Sequence, residues 1–235
     1  MRYALISDIH ANVQALDAVL ADIDTRGDVD AVYHLGDLVG YASTPNEVVE
    51  RLRTRAIAGI AGNYDSTVAT DYKHYGCKSE SVRQEELAHI SYEYTRGAVS
   101  ATTKRFLAGL PFSLDLRPLG GHAAGPRLVL VHGTPTLNTV CFTEDRPDDF
   151  CRKMAASVGL KAGDMLAFGH THKPWHRVVD GIGCRSARRW RRWSSCACRT
   201  TSNRRRPASV RLACRKTLWR SCKPVGRRRP QRLVQ

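Results

Sequence analysis

"ISDIHAN", residues 6–12, sets a carboxylate and an imidazole two positions apart directly behind the apolar run "YALIS" (3–7). A short apolar run bounded by polar residues reads as a buried strand, so Asp8 and His10 stand where that strand ends. Residues two apart on extended chain face the same side, which lets both address one point. The arrangement recurs along the chain. "DAVYH" (30–34) runs into "LGDLVG" with Asp37, and "AIAGI" (56–60) runs into "AGNYD" with Asn63. "RLVLV" (127–131) runs into His132, and "DMLAF" (164–168) runs into "GHTH" with His170 and His172. In open α/β sheets, ligands bind outside the carboxyl ends of the strands. Taken singly, Asp8 can be a turn residue, Asn63 a left-handed residue and His132 a core histidine. Five strand ends bearing oxygen and imidazole donors together point to a metal site, because such sites are recognised by convergent ligands.

The segments between these strands read as helices. Asn12 can cap a helix in which Val13, Leu16, Val19, Leu20 and Ile23 recur at helical spacing. "PNEVVERLRTR" (45–55) places Pro45 in a first turn. Residues 66–110 are polar and read as a helical cover, and a further helix is expected near 147–158. Strands alternating with helices imply parallel βαβ units and an α/β sheet. The later strands, "FSLDL" (112–116), "RLVLV", "DMLAF" and "HRVVD" (176–180), sit closer together and suit a second sheet.

The formal charge of +15 over 235 residues is a poor description of either part of the chain. Residues 181–235 carry 18 Lys and Arg with no Asp or Glu, leaving 19 basic and 22 acidic residues before them. Five of the eight cysteines and three of the four tryptophans also lie beyond residue 183. This break predicts a domain over 1–182 and a separate basic tail over 183–235. An acidic residue at position 8 interrupts the N-terminus too early for a signal-peptide core, and no apolar run approaches the ~18 residues of a membrane span. A soluble, cytoplasmic protein without a membrane partner is expected. Cys77, Cys141 and Cys151 lack metal-ligand spacing and read as core or surface residues.

In order, D-x-H, G-D-x-x-G, G-N-x-D, an isolated His after a strand and G-H-x-H resemble the calcineurin-like metallophosphoesterases, nearest to their small bacterial phosphodiesterases. The resemblance covers about residues 1–180. It implies an α/β four-layer sandwich of two mixed β-sheets flanked by helices, with a dinuclear metal centre between the strand ends. By the same resemblance Asp8, His10 and His172 hold one metal, Asn63, His132 and His170 hold the other, and Asp37 bridges them. Oxygen and imidazole donors suit Mn, Fe, Zn or Ni rather than thiolate-loving metals. Two such ions about 3.5–4 Å apart share a hydroxide and clamp the attacking and leaving oxygens of an in-line displacement. The expected activity is therefore hydrolysis of a phosphate ester, a diester foremost, in a phosphorylated small molecule or nucleotide. Many members carry His after the Gly-Asn pair, where this chain has Tyr64. A phenol of pKa ~10 can donate a hydrogen bond but is a poor acid near neutrality, so Tyr64 is either a donor to the substrate or a packing residue of the wall. Asp65 reads as a turn cap or a support for His10, and Tyr41 in "GYASTP" (40–45) as a substrate contact. His122, in "LGGHAAG", reads as a bystander.

Two other functions are compatible with this chain. Some proteins of this fold serve as assembly scaffolds without catalysis; those tend to lose metal ligands, whereas every ligand position is filled here. The tail would in turn give salt-dependent, non-specific nucleic-acid contact. Its mixture of Arg, Trp, Cys, Ser and Pro suits neither a core nor a solvated arm. It matches GC-rich coding DNA read out of frame. Suitable codons for Arg192–Asn203 give V-E-F-V-R-V-P-Y-D-V-E in another frame, an alternating strand-like segment. A frameshift near residues 183–190 is the expected origin of the tail.

Overall fold

The computed structural model describes residues 2–77, 81–117, 125–187 and 191–194, all within the unit Met1–Cys198. The basic tail beyond residue 194 and His122 lie outside the described residues, so nucleic-acid contact through the tail rests on sequence alone. The N-terminal half runs β1 (Arg2–Ile6), α1 (Val13–Arg26), β2 (Ala31–His34), α2 (Pro45–Thr54), β3 (Ala58–Gly59), α3 (Asn63–Ala69), α4 (Val82–Ala98) and α5 (Ala101–Ala108). There follow β4 (Ser113–Leu116), β5 (Leu128–Val131), α6 (Asp148–Ser157), β6 (Met165–Phe168), β7 (His176–Val179), β8 (Ile182–Ser186) and β9 (Arg191–Ser194).

Two mixed sheets result. The first has the order β3-β2-β1-β9, with β1, β2 and β3 parallel and β9 antiparallel to β1. The second has the order β4-β5-β6-β8-β7, with β5, β6 and β8 parallel and β4 and β7 as antiparallel edges. Alternation along the strands divides the core into three. Tyr3 and Leu5 of β1 meet Leu128 and Leu130 of β5 and Ala167 of β6 in the layer between the sheets. Ala4 and Ile6 face the other way, onto Leu16, Leu20 and Ile23 of α1 and residues of α2 to α5. Val129 and Val131 likewise turn outward to Cys151 and Ala155 of α6, with Phe142, Phe168 and Trp175. The α/β four-layer sandwich is thus a direct consequence of period-two strands buried on both faces. Leu130 is fully buried in the inter-sheet layer, so Leu130→Ala is expected to cost about 3 kcal/mol in a denaturant unfolding experiment.

Local signals behave as read. The Asn12 side-chain oxygen accepts from the Ala15 amide at 2.9 Å, and α1 ends at Gly27, whose φ of 62° suits a residue without Cβ. The boundary at residue 182 requires correction. Gly183–Ser186 continue β8, which inserts between β6 and β7 with Cys184 and Ser186 buried. The domain therefore runs past the point where composition changes. Among the described residues, no helix is long and apolar enough to cross a membrane.

Candidate metal centre

The polar ends of β1, β2, β5 and β6 and the start of α3 converge on one place. Asp8 and His10 follow β1, and Asp37 follows β2. Asn63 opens α3, His132 follows β5, and His170 and His172 follow β6. Asp8, His10 and His172 offer donor atoms within 4.8 Å of one another, as do Asp37, His132 and His170. The structure brings together all seven residues expected from the sequence. Five of them, Asp8, His10, Asp37, His170 and His172, sit at positive φ between 48° and 66°. That region is disfavoured for residues with a Cβ, and its clustering at one place marks a site that the surrounding fold holds against local preference.

The imidazoles are oriented from behind. His10 Nδ1–H donates to the Val39 carbonyl at 3.1 Å, and His132 Nδ1–H donates to the Leu35 carbonyl at 2.6 Å. Each ring therefore turns Nε2 toward the centre, the nitrogen a neutral ring would offer to a metal. The Asn63 amide is fixed likewise: its Nδ2 donates to the Tyr75 carbonyl at 2.8 Å, turning Oδ1 to within 3.1 Å of His132 Nε2. The spacings fit shared ions. Two nitrogen ligands of one tetrahedral ion, each at 2.0–2.1 Å, lie roughly 3.3 Å apart, and His10 Nε2 lies 3.2 Å from His172 Nε2. His172 Nε2 is 3.5 Å from Asp8 Oδ1. One oxygen, Asp37 Oδ2, is 3.4 Å from His132 Nε2 and 3.7 Å from His10 Nε2, between the two groups. The residues present fit a pair of divalent ions.

Burial raises the Asp37 carboxyl, but the His132, His10 and His170 imidazoles around it prevail and hold it below the usual carboxylate range. Burial lowers His132, and the Asp37 carboxylate reverses this and raises it. His10 is lowered, chiefly by burial.

The loops are knotted together by Asp65. Its Oδ1 accepts from the amides of Leu38 and Val39 at 2.8 and 3.3 Å, and its Oδ2 accepts from the Gly62 amide at 2.9 Å. Asp65 is thus the turn cap foreseen, and it joins the Asp37 loop to the start of α3. Gly36 and Gly62 let these two loops pass: a Cβ on either would lie closer than 3.0 Å to backbone of the other loop. Tyr64 is buried, with its ring among His10, Tyr41, Tyr75 and Tyr92 at centroid distances of 5.1–5.9 Å. Its backbone amide, rather than its phenol, reaches Asp37 Oδ1 at 3.0 Å. Burial pushes the phenol above its ordinary value.

Cys77 had no sequence signal, since it lies in a polar stretch fourteen residues after Asn63. Its Sγ accepts from Asn63 Nδ2 at 3.3 Å and lies 3.9 Å from His170 Nε2. Burial and the Asp37 carboxylate push the thiol up to about 12, and it packs against both Asn63 and His170.

The sequence profile described as "calcineurin-like phosphoesterase superfamily domain" matches residues 1–187. The chain belongs to the calcineurin-like phosphoesterase superfamily. It is 30% identical over 185 residues to the uncharacterized protein MJ0912 of Methanocaldococcus jannaschii, covering 76% of this chain and 65% of that protein's length. Among solved structures, it is similar to a metallophosphoesterase from Sphaerobacter thermophilus at 27% identity and a TM-score of 0.55, over 77% of this chain and 64% of the other. The hypothetical protein PH1004 from Pyrococcus horikoshii shares the fold, with a TM-score of 0.63 at 19% identity, over 79% of this chain and 75% of the other. The chain thus spans about two thirds of the length of MJ0912 and of the Sphaerobacter protein. For this calcineurin-like phosphoesterase the span of the family match, residues 1–187, contains all the residues of both donor groups.

Proposed function

We propose that this calcineurin-like phosphoesterase is a metal-dependent phosphodiesterase with a dinuclear centre. The observation that carries the reading is the donor spacing: five separations of 3.1–3.7 Å among Asp8, His10, Asp37, Asn63, His132 and His172. Asp8, His10 and His172 hold one ion, Asn63, His132 and His170 the other, and Asp37 is shared. Two divalent ions so held supply Lewis acidity and a water activated near neutral pH. The protein's part is placement. Backbone carbonyls fix the ring faces of His10 and His132, the Tyr75 carbonyl fixes Asn63, and Asp65 sets the distance between the Asp37 loop and α3.

The charge of the centre favours a diester. Its donors are two carboxylates, one amide and four imidazoles, a set whose negative charge offsets part of that of two divalent ions and so suits a singly charged phosphate better than a dianion. A buried, protonated Tyr64 offers no proton to a poor leaving group, so esters with good leaving groups react best. Loading the protein with Mn²⁺ and measuring bound metal alongside hydrolysis of bis(p-nitrophenyl) phosphate, p-nitrophenyl phosphate and 2′,3′-cyclic nucleotides tests this. Turnover of diesters that stops on chelation is expected. Protein carrying its metal yet inert to every ester would be a scaffold instead.

A further inference from the structure

Tyr41 stands at the rim of the centre in a conformation that packing alone does not explain. It follows the Asp37 loop, its φ is 61°, and the residue is 54% exposed. A large aromatic held at positive φ with much of its ring in solvent gains little for folding, and such outliers gather where a ligand is met. The position is nonetheless built. The Tyr41 amide donates to Ser91 Oγ of α4 at 2.9 Å, and the Tyr94 hydroxyl donates to the Ser43 carbonyl at 3.3 Å. Leu87, one turn before Ser91 on the same helix face, is also half-exposed. The Tyr41 ring meets His10 edge-on at 4.5 Å and lies 5.1 Å from Tyr64. His10 also neighbours His172 at 5.0 Å, and the His172 side chain is 54% exposed. Tyr41 therefore borders the centre where its ligands meet solvent.

We propose that Tyr41 is the platform for a planar aromatic group on the substrate, so that the phosphate ester hydrolysed here carries a nucleobase or an aryl group. The inference rests on the phosphodiesterase reading above and adds the substrate class. A phosphate placed on the ions leaves its organic substituent over the rim, where the exposed Tyr41 ring offers a π-face that any base can use without sequence preference.

Calorimetric titration of the Mn²⁺-loaded protein with AMP, phenyl phosphate and ribose 5-phosphate separates platform from phosphate site. Stacking predicts that AMP binds about 5- to 100-fold more tightly than ribose 5-phosphate. Tyr41→Ala should abolish that gap while leaving ribose 5-phosphate binding unchanged, and Tyr41→Phe should keep it. Phenyl phosphate matching AMP would identify a simple aryl group as sufficient; weaker binding would identify a nucleobase. Equal affinity for AMP and ribose 5-phosphate in the wild type, or an equal loss for both in Tyr41→Ala, overturns the platform. Ribose 5-phosphate binding that requires the metal leaves the phosphodiesterase reading intact even then; failure of all three monoesters to bind removes the platform, and the phosphodiesterase reading is decided separately by turnover of bis(p-nitrophenyl) phosphate.

Discussion

Asp37→Asn is expected to lower diester turnover on the order of a thousandfold, equivalent to several kcal/mol of transition-state stabilisation. The substitution is selective because the two carboxylate oxygens do different things. Oδ1 accepts the Tyr64 amide, a bond that an asparagine oxygen can keep. Oδ2 lies between His132 and His10, and there an amide nitrogen would turn its hydrogens toward two cations. The shared negative charge is lost along with the lone pair. Metal content measured on the folded variant should fall together with the rate. A variant that keeps both its ions and its turnover would mean that Asp37 does not bridge.

Gly62→Ala should be nearly as damaging, without touching a donor atom. A Cβ at this position would fall closer than 3.0 Å to both Asp37 Oδ1 and the Asp37 backbone nitrogen. Backbone cannot step aside as a flexible side chain can, so the start of α3 and the Asp37 loop must separate. The Asp65 bonds to Gly62, Leu38 and Val39 would be strained by the same movement. Overpacking of this kind is expected to cost about 3 kcal/mol, read from the shift in denaturant midpoint, with a parallel drop in metal affinity. Unchanged stability and metal binding would show that the loops have slack that their close approach conceals.

The layered fold was legible because its strands announce themselves twice, as apolar runs and as runs that stop at polar residues. "YALIS" and "RLVLV" became β1 and β5 within a residue at each end. "AIAGI" shrank to the two residues of β3, where Gly59 lies so close to His34 that a Cβ would collide with its ring and carbonyl. β8 was missed because "IGCRS" has no apolar alternation: it owes its place to strands on both sides, a tertiary cause that local pattern does not carry. The convergence of the seven candidate donors was legible, since strand-end placement is a property of sequence order. The positive φ of five of those residues and the thiol of Cys77 behind Asn63 and His170 were not. Both depend on how separate loops cross.

The donors do not come from one sheet. Asp8, His10, Asp37 and Asn63 belong to the side built on β1, β2 and β3, whereas His132, His170 and His172 follow strands of the other sheet. Each donor group mixes the two, so on the dinuclear reading proposed above each ion would work as a rivet driven through both plates. Half a molecule would then have no complete place for either ion, and metal uptake would become a certificate that the plates have closed. Because ligand binding stabilises only the state that offers the complete site, chelation should loosen the seam around Leu128 and Leu130 before it disturbs α1 or α6. An altered C-terminal segment that weakens the second sheet would then first be noticed as leaking metal, while the helices still look intact.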